Sequence, residues 1–339
     1  MPRNSLEAVL DAYAGDDPLR RAVARAVLGV ASAGRVLSAI VSEGPHGTDH
    51  ASIVGANLGG DSQKALDLKA HEILRDAMNW AGVAVFGSEE ADLPDYLDAA
   101  GLVAVATDPL DGSSNIDTNV SIGTIFSVLP AGENPFLQPG NRQLAAGYVI
   151  YGPHTDLVLT LGQGTLIFTL DRATGIYSGT GRALTIAPET DEFAINASNY
   201  RHWAEGIRAY VDDCVAGDAG PREKEFNMRW IASLVAETSR ILTRGGVFLY
   251  PGDGRRGYAE GRLRLVYEAN PIAMVVEQAG GRASAGGVRI LDLVPTELHQ
   301  RTPLVFGSAN EVTRVEFYET NPVSAERSPL FGYRGLFRA

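Results

Sequence analysis

Two short stretches of this chain place acidic side chains where they could hold cations and act on a phosphate. The first is Thr107-Asp108-Pro109-Leu110-Asp111-Gly112-Ser113-Ser114-Asn115-Ile116-Asp117. Asp108 and Asp111 stand three residues apart around a proline turn, so their carboxylates can converge on one place. Hard cations such as Mg²⁺ take oxygen ligands of this kind. Gly112 permits a close backbone approach, and the amides of Gly112, Ser113 and Ser114 can point at a phosphate if a helix begins there. An isolated Asp-Gly-Ser reads as an Asx-rich surface turn. Metal ligands and a phosphate cradle in one short string are far more specific.

The second stretch is Gly87-Ser88-Glu89-Glu90, which follows the apolar segment Val83–Phe86. Adjacent glutamates are ordinarily a solvated charge pair. Here they end a strand, as Asp108 does, and parallel strands ending on the same side would bring the two acidic groups together. A third group, Gly60-Asp61 with Asp67, brackets the start of a helix; taken alone, Asp67 reads as a helix-start residue.

The elements that must position these groups follow from periodicity. Apolar residues at helical spacing (Val23, Ala26, Val27, Val30, then Val36 and Ile40) predict a helix over 5–42, broken by Gly44-Pro45. Asp67–Trp80 reads as a second helix. From Val83 to about Ile186 the pattern is one of strands: Leu102–Ala106, Ile122–Leu129, Ala145–Tyr151, Leu157–Leu161 and Thr165–Leu170 are short, apolar and bounded by Gly, Asp or Pro. Pro188 and the acids around Asp191 mark a junction between an N-terminal domain, 1–187, and a C-terminal domain, 188–339. Arg229–Thr243 is predicted helical and is closed by Gly245-Gly246. Val247–Tyr250 reads as a strand. Asn270-Pro271 reads as the cap and first turn of a helix that Gly280-Gly281 ends. The tail from Thr320 is rich in Pro, Gly, Ser and Arg and reads as loosely held. The whole indicates an α/β layered architecture.

Composition bounds the function. The chain has 339 residues, 45% hydrophobic and 21% charged, an ordinary globular mixture long enough for about two domains. Its apolar runs are too short to span a bilayer. Acidic residues interrupt any leader-like pattern at the N-terminus, so we expect a cytoplasmic protein without a membrane partner. The single cysteine, Cys214, excludes an intramolecular disulfide and reads as a partly buried thiol. A net charge of −12 without a Lys/Arg run argues against nucleic acid as a partner. For an anionic substrate, cations and local arginines would have to reverse the field at the site.

These motifs carry a resemblance. The strand followed by Ser88-Glu89-Glu90, then Asp108-Pro109-Leu110-Asp111-Gly112-Ser113-Ser114-Asn115-Ile116-Asp117, resembles the signature pair of the class I fructose-1,6-bisphosphatases. The looser Asp-Pro-x-Asp-Gly pattern is shared with inositol monophosphatases and other Mg²⁺-dependent phosphatases. Ser121–Phe126, Ala146–Tyr148, Gly245–Pro251, Gly261–Pro271, Glu277–Gly281 and Ile290–Arg301 also look like the bisphosphatase family. The likeness runs from about Asp61 to Ser308.

The resemblance implies a layered sugar-phosphatase fold and Mg²⁺ as cofactor. It implies hydrolysis of the 1-phosphate of fructose 1,6-bisphosphate, in gluconeogenesis or the Calvin cycle. Its Mg²⁺ ligands fall on Glu89, Asp108, the Leu110 carbonyl, Asp111 and Glu268, with Asp61 a further carboxylate near the metals. Glu90 and Asp67 match the residues that activate and deprotonate the attacking water. Asp111, Gly112, Ser113 and Ser114 match the 1-phosphate cradle. Asn196, Arg229, Tyr250, Arg262 and Arg264 match residues around the sugar and the 6-phosphate. Asn196 fits without a gap, with Asn199 the competing asparagine. The residue at Arg229 reaches a neighbouring subunit's site in the family, which implies a homo-oligomer, usually a tetramer. Phosphoryl transfer needs an aligned water and neutralised oxygens more than covalent help, and carboxylates with guanidinium forks are suited to that.

A few positions depart informatively from the family pattern, and the likeness is weak over the first 50 residues. Trp230 stands where many relatives have a phosphate-contacting tyrosine, Arg262 where a lysine is common, and Asn199 where a further tyrosine often lies. Leu102, Val103 and Pro130 replace a lysine, a tyrosine and an arginine of the animal AMP site. Sedoheptulose 1,7-bisphosphate is an alternative substrate, one carbon longer. A catalytically silent sugar-phosphate sensor is the alternative of another class; the complete carboxylate set argues against it, because such a cluster repels itself without metals.

Overall fold

Residues alternate sides along the strands, and here both sides are apolar. In β7 (Ala145–Tyr151), Val149 packs into one core and its neighbour Tyr148 into another; in β13 (Val247–Tyr250), Phe248 faces one way and Val247 and Leu249 the other. Strands buried on both faces require covering layers on each side. The computed structural model, which describes residues 4–44, 52–56 and 62–321, shows five layers in all, three of helices and two of sheet.

Helices α1 (Leu6–Ala14), α2 (Pro18–Glu43) and α3 (Ala65–Trp80) cover one face of an eight-stranded sheet. A short antiparallel pair, β1 (Ile53–Ala56) and β2 (Ser62–Lys64), precedes α3. The large sheet runs in the order β10-β9-β8-β7-β6-β5-β3-β4. Its strands are β3 (Val85–Ser88), β4 (Asp95–Tyr96), β5 (Val103–Asp111), β6 (Ile122–Pro130), β7, β8 (Thr155–Thr160), β9 (Thr165–Asp171) and β10 (Ile176–Gly179). Only β3 and β5 are parallel within it.

The opposite face packs on α5 (Leu234–Arg244) and α6 (Asn270–Gln278), which also cover a six-stranded sheet ordered β12-β11-β13-β18-β15-β16. Those strands are β11 (Glu192–Ile195), β12 (Asn227–Met228), β13, β15 (Arg282–Ala285), β16 (Val288–Arg289) and β18 (Leu304–Gly307); β14 (Leu263–Arg264) pairs separately with β17 (Arg301–Thr302). Helices α4 (Glu205–Val215) and α7 (Ala309–Thr320) close the last layer. The layered α/β expectation holds.

Several boundaries differ from the sequence reading. The helix expected over 5–42 is two helices, broken at Gly15, whose φ of 48° suits glycine, and restarted by Asp17 as N-cap with Pro18 in the first turn. The helix expected from Arg229 begins at Leu234: Ala232 takes a left-handed φ of 61°, and Ser233 caps the helix by accepting from the Ala236 amide. Asn270 is not a cap, because a π-helical turn, Leu265–Ala269, runs directly into α6. Strand β5 continues past Ala106 through Asp111. Helix α2 is long and apolar enough to cross a membrane, a possibility the short apolar runs concealed; in the fold its Ala22, Val23, Ala26, Val27, Val30 and Leu37 are buried in the core. Cys214 is fully buried, and burial pushes its thiol up to about 12. The tail beyond 321 and Asp61 lie outside the described residues.

Candidate active site

The parallel pair β3/β5 builds the first part of the site. Ser88 is in register with Thr107, and the Glu89 amide donates to the Thr107 carbonyl at 3.0 Å, so Glu89 emerges beside Asp108. The ladder between β5 and β6 is irregular between Asp108 and Asp111, which puts Pro109 and Leu110 in a bulge. The bulge is held from both sides: Thr124 donates to the Pro109 carbonyl at 2.8 Å, and the Leu110 amide donates to Asp108 Oδ1 at 3.0 Å. Gly112 follows with φ 76°, a conformation that favours glycine, and Ser113–Thr118 forms a 3-10 turn.

Glu268 comes from the other half of the chain. The π-helical turn aims it at the strand ends, where its Oε2 accepts the Arg264 backbone N–H at 2.5 Å. Carboxylate oxygens of Glu89, Asp108 and Glu268 lie within 4.8 Å of one another. Asp108 and Glu268 are buried and Glu89 is half-buried. Burial raises the Asp108 carboxyl well above its ordinary range, and repulsion from Glu89, Asp111 and Glu268 adds to it. Glu268 is raised likewise, by burial first and then by Glu89. Asp111 is pushed up to about 6 by burial, opposed by hydrogen bonds from the Val235 amide at 3.0 Å and the Ser233 hydroxyl at 3.4 Å. Buried carboxylates that repel each other and offer only hard oxygen donors fit a divalent cation.

Asp67 sits in the first turn of α3, where its Oδ2 accepts the Lys64 amide at 2.7 Å. It is nonetheless buried, and its Oδ1 has no hydrogen-bond partner among the described residues. Burial lifts its carboxyl to about 7, with the Glu90 charge contributing. Lys64 also bonds Asp117 at 2.9 Å, which fastens the start of α3 to the turn after Gly112. The helix-cap and functional readings of Asp67 therefore coexist: the cap bond uses one oxygen and leaves the other in the interior.

The remaining candidates divide between two places. Arg264 is fully buried, its Nε 3.6 Å from Glu89 Oε1, so it belongs with the acid cluster. Arg262 is exposed, lies 4.9 Å over the Tyr258 ring and acts electrostatically on Tyr250. Tyr250 and Trp230 pack together with Phe248; Trp230 stacks on Phe248 at 5.8 Å. Asn196 caps the 3-10 turn Ala197–His202 by accepting from the Ser198 amide, with Asn199 in the same turn. Tyr200, next to Asn199, donates to Asp212 instead. Arg229 is half-exposed, 3.7 Å from the buried Glu192, which also binds Arg240 and Arg244.

Some supporting residues were not singled out in the sequence. The His299 ring meets the Ala91 carbonyl at 3.1 Å, just after Glu90, while the Gln300 carbonyl accepts the Leu265 amide at 2.8 Å, where the Glu268 turn begins. Arg301 pairs with Arg264 across β14/β17. One segment thus braces both carriers of the acid cluster. Ser233 and Val235 do the same for Asp111. No local pattern marks such contacts, because their partners are far apart in the chain.

Known structures share this fold. A crystal structure of Leishmania major fructose-1,6-bisphosphatase in holo form matches with a TM-score of 0.87 and 32% identity, covering 94% of this chain and 99% of the other. The same protein in its T-state matches with a TM-score of 0.82 and 30% identity, covering 93% and 98%. The fold is thus that of the layered phosphatases, and the chain is a phosphoric monoester hydrolase. Residues 47–181 match the fructose-1-6-bisphosphatase N-terminal domain and residues 186–320 the C-terminal domain. The class 1 fructose-1,6-bisphosphatase of Rhizobium meliloti (strain 1021) is 56% identical, and one from Nitrobacter hamburgensis is 53% identical. The alignments cover 98% of this chain with 99% and 98% of those relatives. The chain belongs to the class 1 fructose-1,6-bisphosphatase family, whose members use a divalent metal.

Proposed function

We propose that this protein hydrolyses fructose 1,6-bisphosphate to fructose 6-phosphate and inorganic phosphate, with Mg²⁺ as its divalent metal. The convergence of Glu89, Asp108 and Glu268 within 4.8 Å carries this reading. Glu89, Asp108, Asp111, the Leu110 carbonyl and Glu268 would hold the metal. When bound, Mg²⁺ neutralises the transferring phosphoryl oxygens. Gly112, Ser113 and Ser114 cradle the 1-phosphate after the positive-φ turn. Glu90 and Asp67 orient the attacking water and accept its proton; the high pKa of Asp67 makes its anion a competent base near neutral pH. Arg264 sets a fixed positive charge against Glu89. Tyr250, Arg262 and Asn196 bind the sugar and the 6-phosphate, helped by Arg229 from a neighbouring subunit.

We divide the chain at 187/188 into a domain bearing most of the metal and 1-phosphate residues and one bearing the sugar and 6-phosphate residues. The working form is a cytoplasmic homotetramer in gluconeogenesis or the Calvin cycle. Sedoheptulose 1,7-bisphosphate is a second substrate to be measured. The test identifies the product: with fructose 1,6-bisphosphate, phosphorus NMR should show fructose 6-phosphate and inorganic phosphate. Fructose 1-phosphate as product would reverse the assignment of the two phosphate sites.

A further inference from the structure

Arg262 needs a defined position to recognise a phosphate, yet its side chain is exposed and a flexible stem would leave the guanidinium free to wander. The loop between Tyr250 and Arg262 supplies what holds it. The guanidinium carbon of Arg262 lies 4.9 Å from the Tyr258 ring centre, and that of Arg255 lies 4.6 Å from the same centre. Two cations on one ring repel each other, but Arg255 is neutralised locally: its Nε donates to both oxygens of Asp253, at 3.0 and 3.1 Å, and its Nη2 also contacts that carboxylate. The net charge at the stack is therefore that of Arg262.

The ring is itself fixed by the backbone around it. The Tyr258 carbonyl accepts the amides of Asp253, at 3.0 Å, and Gly261, at 3.1 Å, while the Tyr258 amide donates to the Arg255 carbonyl at 3.1 Å. The loop is tied to the turn that carries Asn196, because the Gly254 amide donates to the His202 carbonyl at 3.0 Å and Trp203 bridges to Asp253. Both arginines act electrostatically on Tyr250.

We propose that Tyr258 is a positioning residue for the second-phosphate site: its ring face holds the Arg262 guanidinium, with the Asp253–Arg255 pair completing the stack. This rests on the reading of Arg262 as a 6-phosphate ligand and adds to it the part that sets its geometry. The attraction comes from the ring quadrupole, so phenylalanine would preserve it and an aliphatic side chain would not.

The experiment is steady-state kinetics of Tyr258→Leu, Tyr258→Phe and Arg262→Ala with fructose 1,6-bisphosphate and with fructose 1-phosphate, which lacks the second phosphate. Tyr258→Leu should raise KM for the bisphosphate about three- to fivefold, the factor of an exposed cation–π pair. Its kcat should hold, as should its kcat/KM for fructose 1-phosphate, and Tyr258→Phe should restore the low KM. If Arg262→Ala raises KM but Tyr258→Leu does not, or if Tyr258→Phe is as impaired as Tyr258→Leu, the inference is overturned and the second-phosphate reading stands. If Arg262→Ala leaves KM for the bisphosphate unchanged, both fall.

Discussion

The carboxylates of Asp108 and Glu268 come within 4.8 Å of each other, although a β-strand carries one and a π-helical turn the other. Both are buried, and burial together with repulsion from neighbouring carboxylates raises both carboxyls well above their ordinary range. Such a pair is unfavourable alone and useful when a cation is shared between them.

Asp108→Asn should therefore separate activity from folding. The substitution keeps the volume and an oxygen for the Leu110 amide, but removes a metal-binding charge. We expect turnover to fall about a thousandfold or more, as loss of several kcal/mol of charge stabilisation requires. The melting temperature without metal should not fall. Near-normal Mg²⁺-dependent turnover in this variant would remove Asp108 from the site.

Metal and protons should compete for the cluster. The folded pKa values of Asp108, Asp111 and Glu268 are raised. Protonated carboxyls must lose their protons before binding a cation, so affinity rises with pH. We expect millimolar Mg²⁺ to raise the melting temperature more at pH 8 than at pH 6. An equal shift at both would place the binding elsewhere.

Asp67 gives a distinct pH signature. Its carboxyl titrates near 7 in the fold against about 3.8 ordinarily, so the native state holds a proton that the unfolded chain has lost between those values. That contribution to stability is present at low pH and is lost as pH rises towards 7. Asp67→Asn should therefore gain stability relative to wild type at pH 8 but not at pH 4, by an amount on the order of a few kcal/mol at most. It should also lower kcat about 10²–10⁴-fold and, at Mg²⁺ concentrations that saturate the enzyme at every pH, remove the acid limb of the pH–rate profile. An unchanged acid limb would exclude Asp67 as the base.

Much of this was legible in the sequence because it is local. Asp108, Asp111 and Glu89 follow apolar runs that had to be strands, and the parallel register of β3 and β5 puts Glu89 beside Asp108. Val247–Tyr250 was read with its observed bounds. What was missed depends on distant contacts. The π-helical turn that aims Glu268 is stabilised by the Gln300 carbonyl, which no helical period reveals. Arg262 and Arg264 looked alike in sequence, yet one is exposed over Tyr258 and the other is buried against Glu89. The break at Gly15 was signalled by Gly15, Asp17 and Pro18, but the helical period from Val23 to Ile40 was extended back over it.

Regulation should differ from that of the animal enzymes. Val103 is buried and lies directly across the ladder from Pro130, and Leu102 is exposed. None of the three offers a side-chain donor, and proline lacks a backbone N–H. These three positions therefore supply no side-chain partner for a phosphate. We expect little inhibition when AMP is titrated at saturating Mg²⁺. Strong cooperative inhibition, with AMP bound beside Leu102 in a crystal, would contradict this.

The central claim is a metal-dependent bisphosphatase, and its most direct measurement is inorganic phosphate release from fructose 1,6-bisphosphate across a Mg²⁺ titration. We expect release to be negligible after chelation, to rise saturably with Mg²⁺, and to vanish in Asp108→Asn. Equal release with and without Mg²⁺, or none at any concentration, would contradict the assignment of the Glu89–Asp108–Glu268 cluster.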